Sequence, residues 1–458
     1  MKNQVQSALK YYQSNKNTLL EEFFHLLSIP SVSTSDEHKQ DIQQAADFLE
    51  NKLHQIGFTN VKAIQTPRHP IVYGEYLVDS KKPTLLLYGH YDVQPPDPLI
   101  EWDTPPFEPT LKGSYIYARG ASDMKGQVWA LISALQAILS TSSLSLNIKF
   151  LIEGEEEIGS PSLESFLVDN KPLLSCDLVL NTDGGMLAPD KPTIIYALRG
   201  MAYFELRIYG PKADLHSGIF GGVVANPANS LARILAGMQS EDGFVKLPGF
   251  YDRVRQLSQE ESTELTKIGM DEAFYLETTG VPKLWGEKDF SPVERVGARP
   301  TLDVNGLYSG YIAEGAKTII PGYAMAKFST RLVPDQDPED IHKSLRKYLS
   351  KHVPDTVKWD LKYLSGAPAY ITEDGAPGVD LYIKALRETW GEVPLRKREG
   401  GSIPVATAMK EILGVDSIIS GFGLPGDQIH SPNERMHLPT HQKGVEALIR
   451  FFLGFEQG

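Results

Sequence analysis

Residues 147–160 read "NIKFLIEGEEEIGS". The mostly apolar run through Ile152 has the pattern of a short strand buried in a sheet. It leads directly into Glu153, Glu155, Glu156 and Glu157. Four carboxylates in five positions at the end of a buried strand repel one another and lose hydration, and both effects are costly. Acidic runs are usually solvated loop faces. The residues around this one argue for a different answer.

On either side of this run, "TLLLYG", "YIYARG" and "DLVLNT" read as further strands, with "GQVWALISALQAIL" as an amphipathic helix between them. "SPSLESFLVDN" reads as a helix capped at Ser160 with Pro161 at its first position. This alternation predicts an α/β sheet with helices on its faces. From about residue 198 the texture becomes β-rich, with "PANSLARILAGM" and "PEDIHKSLRKYLSKHV" as helices between strands. That is the pattern of a smaller two-layer α+β insert. The first texture then resumes. The expected organisation is a discontinuous α/β domain, 1–197 and 368–458, interrupted by a lid at 198–367.

The chain has 458 residues, 41% hydrophobic and 22% charged, with a formal charge of -13. Those proportions are ordinary for a globular protein, and no basic cluster offers a footprint for nucleic acid. Cys176 is the single cysteine, which excludes an internal disulfide and a cysteine-based metal site; it reads as a small buried hydrophobe. No stretch approaches the 18 apolar residues of a membrane span, and the N-terminal segment lacks a signal-peptide pattern. The expected setting is soluble and cytoplasmic.

Ligands of open α/β sheets gather beyond the carboxyl ends of the strands. There the sequence places His90 in "GHYDVQPP", Asp123 in "ASDMKG", Glu156 and Glu157, Asp183 in "TDGG", and His430 in "IHSPNER". Imidazole with carboxylate suits zinc, manganese or cobalt. Two histidines with three carboxylates exceed one tetrahedral site but serve two ions if one carboxylate bridges. Two dications would also hold the crowded acids ionised and offset their repulsion.

"GHYDVQP", "GASDMKG", "EGEEEIGS", "DLHSGIFGG" and "IHSPNER", in that order, resemble the co-catalytic dizinc exopeptidases: carnosinases, nonspecific dipeptidases, aminoacylases and glutamate-releasing carboxypeptidases. The likeness spans nearly the whole chain and is nearest to the dipeptidase branch. It implies that His90, Asp123, Glu157, Asp183 and His430 hold two divalent ions, zinc or alternatively manganese, with Asp123 bridging. It implies a cis peptide between Asp123 and Met124, and Asp92 as the carboxylate fixing the His90 tautomer. Glu156 becomes the general base on water acidified by the metals. His216 stabilises the oxyanion, in dimeric members from the partner subunit, and Thr318, Arg331 and Ser402 hold the substrate's C-terminal end. Arginine suits a carboxylate through its two-pronged fork. Glu155 departs from the apolar residue frequent in that branch and is expected to point into solvent; Glu153 is expected to accept a structural hydrogen bond.

The implied activity is hydrolysis of dipeptides and short peptides with a free C-terminus, by a homodimer joined through the lid. An N-acyl amino acid hydrolase would use the same constellation, and a catalytically silent binding relative is opposed by the completeness of the set. "GFGLPG" (Gly421 to Gly426) fits a dinucleotide fingerprint, but Pro425 and the "DQIHSPN" segment after the motif open no helix. No GxSxG turn supports a serine hydrolase. His437 and His441 are separated by Pro439 and read as loop and helix-start residues.

Overall fold

The computed structural model describes residues 2–373, 375–376, 378–401 and 403–455. Its contacts divide the chain into two compact units. The first is Met1–Tyr196 with Thr372–Arg396 and Ala408–Gly458; the second is Ala197–Ile371 with Lys397–Thr407. Lys397–Thr407 thus groups with the inserted part, although it lies beyond 368 in sequence.

The sheet of the first unit runs in the order Thr59–Ile64, Ile71–Tyr76, Asn147–Glu153, Thr84–His90, Leu178–Asn181, Ser417–Ser420, Thr193–Leu198. Its four central members, from Asn147–Glu153 to Ser417–Ser420, pair in parallel, and the flanking strands pair antiparallel. The fold is therefore mixed α/β, as expected. Every residue of Asn147–Glu153 is buried. Successive side chains point to opposite faces, so this strand is covered on both.

Much of that cover is helical. Lys125–Leu139 is buried along almost its whole length and packs between Lys2–Leu27 and Leu438–Gly454 and against Thr84–His90. Trp129, Leu131, Ile132, Leu135 and Ile138 are at most 1% exposed, and each such side chain contributes about 1.5 to 3 kcal/mol by burial. The helix approaches so closely that a Cβ on Gly89 would lie 2.6 Å from Val128 Cγ2 and 3.1 Å from Met124 Cε. Gly89 immediately precedes His90, so this contact also fixes where that imidazole emerges.

Three sequence expectations are corrected. "YIYARG" does not enter the main sheet: Tyr115–Tyr117 lies between Thr110–Lys112 and Arg435–His437 in a separate small sheet. Three residues are too few to reach across the core, and this pairing joins the Asp123 loop to the segment after His430. The helix expected from Ser160 begins instead at Leu163 with Ser162 as its cap, because the Ser162 amide is bonded to Glu155. Cys176 is partly exposed, not fully buried.

The second unit holds an antiparallel sheet in the order Thr301–Ser309, Tyr323–Leu332, Gly200–Tyr209, Lys358–Ala367. Tyr323–Leu332 alternates buried and less buried residues, which is the pattern of a sheet covered on one face. Pro227–Gly237 and Pro338–His352 pack on it, giving two layers with a core around Phe204, Phe328, Leu231 and Leu345. Among the described residues no helix is long and apolar enough to cross a membrane.

Gly89→Ala is expected to destabilise the protein by about 1 to 3 kcal/mol through overpacking against Val128. Urea denaturation measures it; unchanged stability would show that the strand and helix can separate freely.

Candidate metal centre

The parallel strands deliver the site. His90 and Glu153 are the last residues of neighbouring strands and are paired in register, and Asp183 comes two residues after Leu178–Asn181. His430 lies in a loop after Ser417–Ser420, in the left-handed conformation with φ 62°. Asp123 sits on the turn before Lys125–Leu139, and its bond to Met124 is cis.

Two groups of ligand atoms gather there: His90, Asp123 and Asp183, and Asp123, Glu157 and His430, with the atoms of each group within 4.8 Å of one another. Asp123 belongs to both. Its Oδ1 lies 3.1 Å from His90 Nε2 and its Oδ2 lies 2.9 Å from His430 Nε2. Glu157 Oε2 is 3.2 Å from the same His430 nitrogen and accepts from Gln94 Nε2 at 2.8 Å. All five residues expected as ligands are thus together in one place.

The electrostatics call for a cation. Burial pushes the Glu156 carboxyl up to about 7 and the Asp183 carboxyl up to about 8; His90 pulls both down, and neighbouring carboxylates push them up. His430 is pushed up to about 10 by its bonds to Asp123 and Glu157. Burial disfavours a charged His90, yet Asp123 and Asp92 raise it well above its usual range. Burial also opposes ionisation of Asp123, but the two imidazoles hold it below the usual carboxylate range. Protein alone thus gathers protons at these groups. Divalent ions would replace them, and oxygen with imidazole nitrogen is the donor set that zinc or manganese takes. The residues present fit two such ions.

Each reactive group is held from behind. His90 Nδ1 faces the backbone carbonyl of Asp92 at 3.0 Å, while the Asp92 carboxylate is farther, at 3.4 Å. Both the carbonyl and the carboxylate of Asp92 thus face the same ring nitrogen. That carboxylate also accepts the amides of Glu156 at 3.2 Å and Glu157 at 3.0 Å. Glu434, at 1% exposure, accepts from Gly120 N, Ser122 N and Asp123 N and pairs with Arg119 at 2.8 Å. It anchors the loop of the shared carboxylate four residues after His430. Sequence reasoning missed Glu434 and Gln94, although both lie within the quoted motifs.

The four carboxylates of "EGEEEIGS" have four different surroundings. Glu153 accepts from Tyr88 Oη at 2.7 Å, the structural bond expected of it. Glu155 does not point into solvent: it is 1% exposed and accepts from Thr66 Oγ1, His69 N and Ser162 N at 2.5, 2.9 and 3.0 Å. Three donors supply the stabilisation that solvent would have given. Glu157 joins a ligand group, and Glu156 stands beside it without entering either.

In the second unit, His216 and Thr318 come together. Leu215–His216 pairs with Ile319–Ile320, and Ser217 N donates to Thr318 O at 3.1 Å. His216 Nδ1 accepts from Gly218 N at 3.0 Å, so a neutral ring carries its proton on the exposed Nε2. Arg331 lies on Tyr323–Leu332, opposite Met201 and Thr301. Ser402 lies outside the described residues.

Glu155→Leu would leave the buried amides of His69 and Ser162 unpaired and is expected to cost about 2 to 4 kcal/mol of stability. Urea denaturation reads the loss; a change under about 0.5 kcal/mol would mean that water replaces the carboxylate.

The sequence pattern of "Peptidase family M20/M25/M40" matches residues 86–453. The Cys-Gly metallodipeptidase of Schizosaccharomyces pombe is 30% identical, over 98% of this chain and 98% of its own. The human Beta-Ala-His dipeptidase is 31% identical, over 85% and 78%. Among solved structures, an M20 family metallo-carboxypeptidase from Sulfolobus solfataricus has a TM-score of 0.81 at 33% identity, covering 95% of this chain and 99% of that one. The di-peptidase Dug1p from Saccharomyces cerevisiae has a TM-score of 0.77 at 27% identity, over 100% of both. With the matched pattern covering most of the chain and enclosing every residue of the two ligand groups, this protein belongs to peptidase family M20/M25/M40.

Proposed function

We propose that this protein is a cytoplasmic dipeptidase that hydrolyses dipeptides and short peptides with a free C-terminus at a two-metal centre. The observation that carries the reading is the pair of overlapping ligand groups sharing Asp123. His90, Asp123 and Asp183 would hold one ion, and Asp123, Glu157 and His430 the other. Zinc is the ion this donor set favours, with manganese the alternative. When bound, the ions supply Lewis acidity to the scissile carbonyl and acidify water at the site.

The chain's own groups then divide the work. Glu156 takes the proton from the attacking water and passes it to the leaving amine. Its position supports this role: its amide is tied to Asp92, and its carboxylate stands outside both ligand groups while the adjacent Glu157 is engaged with His430 and Gln94. His216 donates from Nε2 to the developing oxyanion. Arg331 pairs with the substrate carboxylate through two parallel bonds, assisted by Thr318 and Ser402.

We further propose a homodimer through the second unit, in which His216 serves the partner's site. Thr301–Ser309 is an edge strand and exposes Leu307 at 66%, with Ile312 at 78% just beyond it. An exposed apolar edge is a pairing surface.

Glu156→Gln is expected to keep about two metal ions per chain while kcat on an alanyl dipeptide falls at least about a hundredfold; metal analysis beside steady-state kinetics checks both, and full turnover would remove Glu156 from the role. Chelation should abolish activity and refilling with zinc or manganese restore it, while turnover of N-acetyl amino acids in preference to dipeptides would make the enzyme an acylase. For the dimer, mixing inactive His216→Ala and Glu156→Gln chains should recover about a quarter of the native activity if sites are shared across subunits and subunits exchange at random. No recovery after demonstrated exchange would place His216 within its own subunit's site.

A further inference from the structure

We propose that Arg199 is a positioning residue for recognition of the substrate's carboxylate: it moulds the Glu399–Gly401 turn and holds that turn beside Arg331. This rests on the reading of Arg331 given above. Arg199 immediately precedes the strand Gly200–Tyr209, whose register places Gly200 opposite Leu332 and Met201 opposite Arg331. The two arginines are therefore brought close by the ladder itself.

One residue grips three successive carbonyls. The Arg199 side chain donates from Nε to Gly400 O at 2.9 Å, and its backbone N–H is shared between Glu399 O at 3.3 Å and Gly401 O at 3.2 Å. The turn is also closed from the other side. A Cβ on Gly400 would meet Val296 Cγ1 at 2.7 Å, Arg199 Nη2 at 3.2 Å and Val296 O at 3.3 Å, so only glycine lets the chain pass between them. Glu399 folds back on its own turn, accepting from Gly400 N at 2.8 Å and pairing with Lys397 at 2.6 Å.

The charge arrangement gives this packing a purpose. Burial, and after it the like charge of Arg331, lowers the Arg199 guanidinium to about 10, while Asp303 and Glu399 act in the opposite sense. Arginine side chains stay cationic at neutral pH. Two guanidinium groups held close repel each other unless anions lie between or beside them. Asp303 and Glu399 offset part of this repulsion, and a carboxylate arriving at Arg331 offsets more of it. Arg199 thus acts through the turn and through Arg331, without itself needing to touch substrate.

The test compares a dipeptide with its C-terminal amide. Arg199→Met is expected to raise KM for the free acid about tenfold, change kcat by less than about threefold and leave the amide's kcat/KM nearly unaltered, so that the acid-over-amide preference collapses. Arg199→Lys, which keeps charge but loses the fork, should fall between. Gly400→Ala perturbs the same turn independently and should give the same signature should the arginine variants fold poorly. A purely structural role would lower both substrates in equal proportion and would overturn the proposal. Arg331→Met is the reference. If it abolishes the preference while Arg199→Met and Gly400→Ala preserve it, this proposal alone falls; if it too preserves the preference, the reading of Arg331 falls and takes the proposal with it.

Discussion

A carboxylate placed between two imidazoles is the constraint around which the first unit is arranged. Asp123 presents one oxygen to His90 and the other to His430, and the neighbouring carboxylates, Asp123 and Glu157 among them, stand close enough to push Glu156 and Asp183 up. With both imidazoles neutral, these four carboxylates sum to -4. Two dications cancel that charge. No number of protons does so while leaving carboxylate lone pairs available, because protonation removes the basicity that a hydrolytic centre needs. The acidic run that is costly as bare sequence is thus compatible with a fold that gathers cations at its strand tips.

Holding such a centre requires that the backbone carrying it does not relax, and three buried acids serve that end. Asp92 takes the amides of Glu156 and Glu157. Glu434 takes those of Gly120, Ser122 and Asp123. Glu155 takes those of His69 and Ser162. A carboxylate accepts several donors at once, which a backbone carbonyl does less well, so one buried acid fixes a loop that no regular secondary structure reaches. Removing such an acid costs more than one hydrogen bond, since every amide it served is left unpaired in a dry interior.

How much of this was legible in the sequence depends on the range of the interactions involved. His90, Asp183 and the glutamates after Ile152 were found because a buried parallel strand announces itself as a short apolar run and its carboxyl end is where polar groups accumulate. Asp123 was found for the wrong local reason: the strand before it belongs to the small sheet, not the main one, and only the motif "GASDMKG" placed it correctly. Glu155 was misplaced because its partners Thr66, His69 and Ser162 come from separate segments, two of them more than eighty residues away, and nothing in local periodicity reports such pairing. Glu434 stood in plain view in "IHSPNER". Its function depends on Arg119, which is 315 positions away, and the composition of the motif carries no trace of that.

The two units also differ in how firmly they hold their groups. In the first unit, His90 and Asp92 are fully buried, Asp123 is 13% exposed and His430 is more open at 53%, yet each has its partner in place before any ligand arrives. In the second, His216 and Thr318 are exposed at the ends of a ladder two residues long, where a few substitutions would redirect them at little cost to the core. On the proposed reading, chemistry common to every amide belongs to the constrained unit and part of the discrimination among amides to the adaptable one. Two relatives near 30% identity to this chain are named for different peptides, one a Cys-Gly metallodipeptidase and the other a Beta-Ala-His dipeptidase. On that reading, a scaffold whose metal centre is fixed by buried acids changes its preferred peptide at exposed side chains of the insert such as His216 and Thr318, which carry little of its core.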